Sequence, residues 1–523
     1  MIDAAKRTHL TEGDRPMSAQ SENLIDIFYA RQAGYADKPA LLWRGEVVCS
    51  FGDLPGIVGR YRAALARLGV TRGDRVMVKT DNSPAFVFVY LAVLASGAIF
   101  VPMNTAYTDA EVMALIDDAE PALLIHAART AVPMLTEAPV RRVTLEGDGG
   151  GALPDLAATL APLWGVEPLA ADDLAAILFT SGTTGRPKGA MLSHGNLSSN
   201  VGALFETWRF SDTDTILHAL PLFHAHGLFV ALHLGLFSSA TSRMLPKFDA
   251  AAVIAELPLV SVFMGVPTFY TRLLDNPTLT REVATARRLF ISGSAPLLPS
   301  VFNAFADRTG HRILERYGMT EAVMITSNPY AQTDRIPGTA GFPLPGVSVR
   351  VVDAAHGELP VGDVGEIEIS GPNVCRGYWR RPEATADSFH ADGYFLTGDT
   401  GFKDSEGRVT ISGRSKELII SGGYHVYPAD IEMILAEVTG VQDVAVFGVP
   451  HPDFGEAVMA AVTLDGGAFD MTAMQAVIAA RFARFKQPKA VHVLDEFPRN
   501  AMGKILKSRL RETYADSFQA SVA

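Results

Sequence analysis

The run Leu174-Ala175-Ala176-Ile177-Leu178-Phe179, followed by Thr180-Ser181-Gly182-Thr183-Thr184-Gly185-Arg186-Pro187-Lys188-Gly189, decides how the rest of the chain is read. The first six residues are apolar and read as a buried strand. The next ten are glycine or small and hydroxylated, apart from one proline and two cations. Glycine lets backbone N–H groups turn toward an anion, hydroxyls add donors and Lys188 adds charge, so the stretch has the parts of a phosphate cradle. It is not a Walker A loop. That motif has its second glycine about five positions after the first, followed at once by Lys-Ser/Thr. Counting from Gly182, Pro187 stands there. A Gly/Ser/Thr cluster is commonly a plain surface loop, but ten such residues directly after a buried strand argue for a binding loop.

At 523 residues the chain is too long for one core, so two or more domains are expected. It is 48% hydrophobic and 20% charged, the balance of an ordinary globular protein rather than a disordered one. The net charge of −12, with no long basic run, argues against a nucleic-acid partner. Two cysteines, Cys49 and Cys375, give neither a disulfide framework nor a cysteine metal site, and a reducing cytoplasm fits. The start Met1-Ile2-Asp3-Ala4-Ala5-Lys6 has no apolar signal-peptide core. The uncharged run from Pro84 to Met103 is long enough for a bilayer, but Ser96-Gly97 breaks it into a helix, a turn and a buried strand. Ile216 to Ser242 holds four histidines and is broken at Pro221, so it too reads as core.

Residues 1 to about 20 read as a polar, disordered tail. Beyond them helical and strand patterns alternate: Tyr61 to Leu68, Arg75 to Val78, Asp109 to Asp118, Ala122 to Ile125, then Val260 to Phe263 and Leu289 to Ser292. That alternation predicts an α/β fold with mostly parallel sheets. Gly147 to Gly165 reads as a connection between two subdomains, and Ser193-His194-Gly195-Asn196 as a helix start. From about Gly346 the pattern becomes short alternating strands, which predicts a small β-barrel; from about Ser415 a compact α+β unit follows.

Further stretches carry chemistry. Ser292-Gly293-Ser294-Ala295-Pro296 ends a buried strand with small residues, letting a flat base or an acyl group lie against the backbone; a tight turn explains it equally well. In Arg316-Tyr317-Gly318-Met319-Thr320-Glu321 an aromatic ring stands near a hydroxyl and a carboxylate. Tyr317 can stack on adenine, Thr320 can donate to a phosphate, and Glu321 can hold Mg²⁺, which prefers carboxylate and water oxygens. In Tyr394-Phe395-Leu396-Thr397-Gly398-Asp399-Thr400, Asp399 is a natural acceptor for two vicinal hydroxyls. Gly413-Arg414-Ser415-Lys416-Glu417, Ser421-Gly422-Gly423-Tyr424 and Pro498-Arg499-Asn500-Ala501-Met502-Gly503-Lys504 complete the set. Two histidines in Pro221-Leu222-Phe223-His224-Ala225-His226-Gly227-Leu228 lack a third partner at sensible spacing, which argues against zinc.

From Thr180 to Lys504 these motifs stand in the order of the adenylate-forming acyl-CoA synthetase superfamily, and the chain resembles it along essentially its whole length. The resemblance implies an N-terminal ATP- and acid-binding domain over 1–413, a hinge at 414–416 centred on Lys416, and a C-terminal lid over 417–523. It implies that ATP is bound by Thr180, Ser181, Gly182, Thr183, Thr184, Lys188, Gly293, Ser294, Ala295, Pro296, Tyr317, Gly318, Met319, Asp399 and Arg414. Glu321 would hold Mg²⁺, and Gly422, Gly423 and Tyr424 would meet coenzyme A. His224 would orient the acyl carboxylate beside Ser292. Lys504 would bridge that carboxylate and the α-phosphate, where an ammonium offsets the repulsion of two anions. A lysine acetyltransferase acting on Lys504 would silence that step.

Within the superfamily, Pro221 to Val230 and Arg316 to Tyr330 look most like malonyl-CoA synthetases, whose substrate is a small dicarboxylic acid. That subgroup usually has a polar residue after the Thr-Glu pair, and here Ala322-Val323 stand there. A second carboxylate needs a buried cation, and Arg272, just after an apolar run, is the candidate beside the reading of an ordinary helix-surface arginine. Malonate or methylmalonate, another short, fatty or aryl acid, and the loading of a carrier protein therefore stay open; a non-catalytic nucleotide-binding protein is disfavoured by Lys504, Glu321 and Asp399 together.

Overall fold

The computed structural model describes residues 21–128, 140–180, 187–421, 424–452, 454–482, 484–500 and 503–518, with the backbone alone at Lys416 and His425. The disordered tail expected before residue 20 lies outside them. The apolar run forms the strand Leu174–Thr180. It pairs antiparallel with Lys188–Ser193, Thr180 opposite Lys188. Ser181 to Arg186, which include the expected ATP contacts Ser181, Gly182, Thr183 and Thr184, fall outside the described residues. Ser193 then caps the helix His194–Thr207: its hydroxyl accepts from the Asn196 N–H, and the Asn196 side chain accepts from the Ser193 N–H.

Two large sheets follow from the alternating pattern. The first runs Arg141–Thr144, Leu123–His126, Arg75–Lys79, Ile99–Pro102, Leu174–Thr180, Lys188–Ser193, parallel except for that hairpin. The second has nine strands in the order Phe342–Pro343, Thr326–Ser327, Leu314–Tyr317, Leu289–Ser292, Val262–Gly265, Thr215–His218, Thr241–Met244, Pro39–Trp43, Glu46–Ser50. Its five central pairings are parallel, and the antiparallel ones lie at its two ends. The membrane-length run resolves as expected into the buried helix Pro84–Ala95, a turn at Gly97 (φ +68°) and the strand Ile99–Pro102. Among the described residues no helix is long and apolar enough to cross a membrane. The histidine-rich run gives the strand Thr215–His218, then a π-helical segment His226–Leu232 continuing into the helix His233–Phe237.

The expected β-barrel is instead a four-stranded antiparallel sheet, Ser348–Val352, Gly365–Ser370, Phe395–Lys403, Val409–Arg414, whose outer strands do not pair among the described residues. Four strands are too few to close around a filled interior, for which about eight are needed. A short turn, Ser415–Glu417, leads into a separate sheet built from Tyr424–Val426, Ile419–Ser421, Gly455–Leu464 and Val441–His451, with Ala490–Val493 parallel to Gly455–Leu464. This second unit has its own cores on either side of that sheet.

Asp214 ties three strands of the nine-stranded sheet at one end. It precedes Thr215 and accepts from Arg288 Nε and Nη2, both at 2.6 Å, from the Ser261 hydroxyl at 2.7 Å and from the Ser211 N–H at 3.0 Å. Burial would raise the carboxyl pKa, but these bonds outweigh it and hold it below the ordinary aspartate value. Its stabilisation is therefore complete above the unfolded-state pKa and is lost as pH falls through the lower folded value. Asp214→Ala, which strands Arg288, should destabilise the protein by about 3–5 kcal/mol. Chemical denaturation should show that loss at neutral pH, with a shallower acid limb than in the unmodified protein.

Candidate active site

The site lies at the C-terminal ends of the strands of the nine-stranded sheet, where side chains leave the backbone toward the hairpin and the second unit. Asp399 is its best-defined carboxylate. It sits on Phe395–Lys403 opposite Arg414 of the next strand, so sheet register alone brings the two together, with Arg414 Nε 2.7 Å from Oδ1. The Tyr317 hydroxyl donates to Oδ2 at 2.5 Å, and the Asp399 N–H is received by the Thr397 hydroxyl at 3.0 Å. Burial raises the Asp399 pKa, and Arg414 works against that rise. The carboxylate thus faces two donors and stands at the edge of an aromatic ring.

Glu321 lies in the connection between the strands Leu314–Tyr317 and Thr326–Ser327 and is buried. Its pKa is raised by burial, against hydrogen bonding that includes the Tyr378 hydroxyl at 3.0 Å from Oε1. Lys188, from the hairpin, sits with its ammonium 5.1 Å above the Tyr378 ring. Tyr378 therefore touches both Lys188, at the start of the strand Lys188–Ser193, and the Glu321 carboxylate. Among the described residues no group of three or more His, Cys, Asp or Glu could hold a metal ion by itself. Glu321 and the Thr320 hydroxyl nevertheless offer hard oxygens of the kind Mg²⁺ takes when phosphate and water supply the rest.

A second cluster is cationic and short of partners. Arg316, beside Tyr317 on the strand Leu314–Tyr317, is buried, and its Nε and Nη2 have no hydrogen-bond partner. Burial pushes its pKa down to about 9. A Cβ on Gly293 would lie 2.4 Å from the Arg316 Cζ, so only glycine leaves the guanidinium its place. Ser294, at φ +71°, turns back and puts its hydroxyl 3.4 Å from His226 Nδ1. The Ser292 hydroxyl, His226 Nε2 and both ring nitrogens of His218 are buried without partners. Burial first, then the Arg316 charge, holds His224 at about 4 and His226 well below the ordinary value; burial alone holds His218 at about 4. These imidazoles are neutral near pH 7, so Arg316 supplies the positive charge here.

Arg272 does not supply it, contrary to the expectation from the sequence. On the helix Pro267–Asp275, Tyr270 and Leu273 face the core and the Tyr270 hydroxyl donates to Ile291 O at 2.6 Å. Helical spacing then turns Arg272 outward. It is exposed and lines a cleft of about 200 Å³ shared with Gln442, Asp443, Asp495 and Arg499 of the second unit.

Lys504 approaches from that second unit. It is solvent-exposed, and the protein packed around it, then Arg414, lower its pKa while Glu417 and Asp399 raise it. The structure thus brings Lys504 to Asp399 and Arg414. Lys416 lies in the turn Ser415–Glu417. Tyr424 is exposed and stacks on Phe485, ring centroids 4.6 Å apart. Gly422 and Gly423 lie outside the described residues. Thr180 pairs with Lys188, Ala295 and Pro296 follow Ser294 in the chain, Gly318 and Met319 follow Tyr317, and the Gly318 α-carbon leaves no room for a methyl against Val323 O.

Sequence reading missed three contributors. Arg316 was read only as the first letter of its motif, although a cation ending the strand Ile313-Leu314-Glu315-Arg316 is itself a signal. Asn82 accepts from the Leu222 N–H and donates to Leu220 O, both at 2.8 Å, and so fixes the segment that carries His224. Tyr378 gave no signal, because it reaches Glu321 only through the fold.

Residues 28–379 match the family model described as AMP-binding enzyme, and 430–504 the AMP-binding enzyme C-terminal domain. The chain is 34% identical to a malonate–CoA ligase of Arabidopsis thaliana over 95% of its own length and 90% of that protein. It is 35% identical to a feruloyl-CoA synthase of an Amycolatopsis species, over 92% and 98%. It is 45% identical to MatB of Rhodopseudomonas palustris, covering 96% of this chain and all of that one, with a TM-score of 0.92 to the ATP-bound crystal structure and 0.82 to the apo form.

Asp399 has the chemistry of an acceptor for a nucleotide's ribose hydroxyls. Asp399→Ala removes a charged acceptor, a loss of about 1.5–3 kcal/mol, so ATP affinity by calorimetry should fall about tenfold or more while the circular dichroism spectrum stays unchanged.

Proposed function

This chain belongs to the family of AMP-binding enzymes, and on that premise we propose that it joins malonate to coenzyme A, using ATP and passing through malonyl-AMP. In the first half-reaction a carboxylate oxygen bonds to the α-phosphorus and the bond to pyrophosphate breaks. In the second, the coenzyme A sulfur bonds to the acyl carbon, the bond to AMP breaks, and the thiol proton is released. Tyr317 stacks on the adenine and Asp399 accepts from the ribose. Lys188 and the glycine-rich turn meet the phosphates, with Thr320 donating to the α-phosphate. Glu321 and the triphosphate oxygens would hold Mg²⁺, which neutralises charge as pyrophosphate leaves. Lys504 sits between the attacking carboxylate and the α-phosphate and offsets their repulsion.

Arg316 is the observation that carries the acid. A guanidinium buried without partners is costly, and a carboxylate can meet it with two parallel hydrogen bonds. Malonate has a carboxylate to spare after the reacting one. A fatty or aryl acid, such as the substrate named for the feruloyl-CoA relative, would leave Arg316 unpaired. His224 and Ser292 line the path between the two carboxylates, and neutral imidazoles there orient an anion without competing for it. After adenylation the second unit turns about Lys416, withdraws Lys504 and presents Gly422-Gly423-Tyr424 to coenzyme A, a hinge motion of a familiar kind. Acetylation of Lys504 removes the charge needed for the first half-reaction alone.

Malonate-dependent pyrophosphate exchange, followed by coenzyme A consumption with no carrier protein present, tests the reaction. Arg316→Met should lower kcat/KM for malonate by about 30-fold or more and leave propionate within about threefold; equal losses would remove Arg316 from the acid site. In Lys504→Ala or Nε-acetylated protein the exchange should fall about 10²–10³-fold, while thioester formation from synthetic malonyl-AMP persists. Unchanged exchange would remove the role given to Lys504.

A further inference from the structure

The segment that carries Lys504 is a closed hairpin. Arg499 pairs with Ile505 across it, the Leu506 N–H donates to Pro498 O at 2.8 Å, and the Asn500 N–H to Lys504 O at 2.9 Å. The Lys504 N–H returns to the Asn500 side chain at 2.9 Å. One side chain fastens this hairpin to the sheet behind it. Arg499 donates through Nη1 to Gly503 O and through Nη2 to Asp443 of the strand Val441–His451, both at 2.6 Å. The carbonyl it holds belongs to the peptide immediately before Lys504, so Arg499 sets the plane from which the lysine side chain departs.

The other face of the hairpin meets the larger unit. Gly503, at φ +75°, approaches the first turn of Pro267–Asp275 so closely that a Cβ there would stand 2.9 Å from the Thr268 hydroxyl. Arg272 and Asp275 of the same helix line the adjoining cleft together with Asp443, Asp495, Glu496 and Arg499 of the second unit.

We propose that Arg499 is a positioning residue for Lys504, held by Asp443, and that the first turn of Pro267–Asp275 is the dock against which the hairpin is set during adenylation. The pair acts only while the hairpin is docked. Thioester formation, which needs Lys504 withdrawn, does not use it. This rests on the two-step ligation proposed above. Misplacing a catalytic group by about 1 Å costs about 10²-fold, and that is the loss expected when Gly503 O is released.

The experiment compares pyrophosphate exchange with thioester formation from synthetic malonyl-AMP and coenzyme A. Arg499→Gln and Asp443→Asn should each slow exchange about 10–100-fold and change thioester formation less than about threefold. Arg499→Lys, which keeps the charge, should recover part of the exchange. Thr268→Trp, which crowds the dock from the larger unit and leaves the hairpin intact, should reproduce the selective loss even if an Arg499 variant fails to fold. Equal losses in both half-reactions, or none in either, would overturn the proposal. If the unmodified enzyme exchanges with another carboxylic acid and not with malonate, the acid assignment fails instead. The same comparison with that acid and its adenylate then decides the role of Arg499.

Discussion

Taking a guanidinium out of water costs several kcal/mol unless a negative group meets it. Arg316 is in that position, at the end of a central strand and with two of its nitrogens unpartnered. Its surroundings are built to tolerate it and not to neutralise it. Gly293 gives up its side chain to make room, and the imidazoles nearby are kept neutral by the same burial that penalises the arginine. The neighbouring Glu315 does not pair with it either. Its carboxyl is pushed up to about 8 by burial and accepts from the Leu297 N–H at 3.1 Å, which fixes the loop after Ser294. Among the described residues Arg316 thus keeps a positive charge with two nitrogens unspent. On the function proposed above, binding would supply what folding withheld, and an acid with no second charge would gain nothing from it.

The two halves of the chemistry lie on two bodies that meet at Asp399 and Arg414. These residues belong to the larger unit, one strand from the turn at Ser415–Glu417, yet they are among the groups that set the electrostatic surroundings of Lys504 from the smaller one. A nucleotide at Asp399 would therefore be felt by Lys504 before any acid is present.

Much of this was legible in the sequence where local rules apply. Period and punctuation gave the buried helix Pro84–Ala95, the strand Leu289–Ser292, the capped helix start at Ser193 and the independent C-terminal unit. The chemistry of single side chains picked out Asp399 and Glu321 as candidates, and the family resemblance picked out Lys504; the structure brings Asp399 and Lys504 near one another. What failed was the direction in which a side chain points. Arg272 follows an apolar run, as a pocket cation should, but a turn of helix carries it to the surface, while Arg316 was hidden inside a motif read for its tyrosine. Closure of the small sheet failed as well, because a few short alternating segments suit a barrel as readily as an open sheet. Tyr378 and Asn82 act across gaps of 57 and 138 residues or more, and no local pattern encodes such a meeting.

The π-helical segment His226–Leu232 begins within the motif that bears His224 and His226. A π-turn holds one residue more than an α-turn, the footprint of an insertion absorbed without breaking the helix. Deleting any one residue from it would let the segment relax to ordinary α geometry and rotate whatever precedes it by about 100°. Both imidazoles would swing off the cavity wall while the helix behind them stayed intact. The histidines are thus protected less by their own identity than by a chain length that gene copying cannot shorten by a single codon without losing their aim.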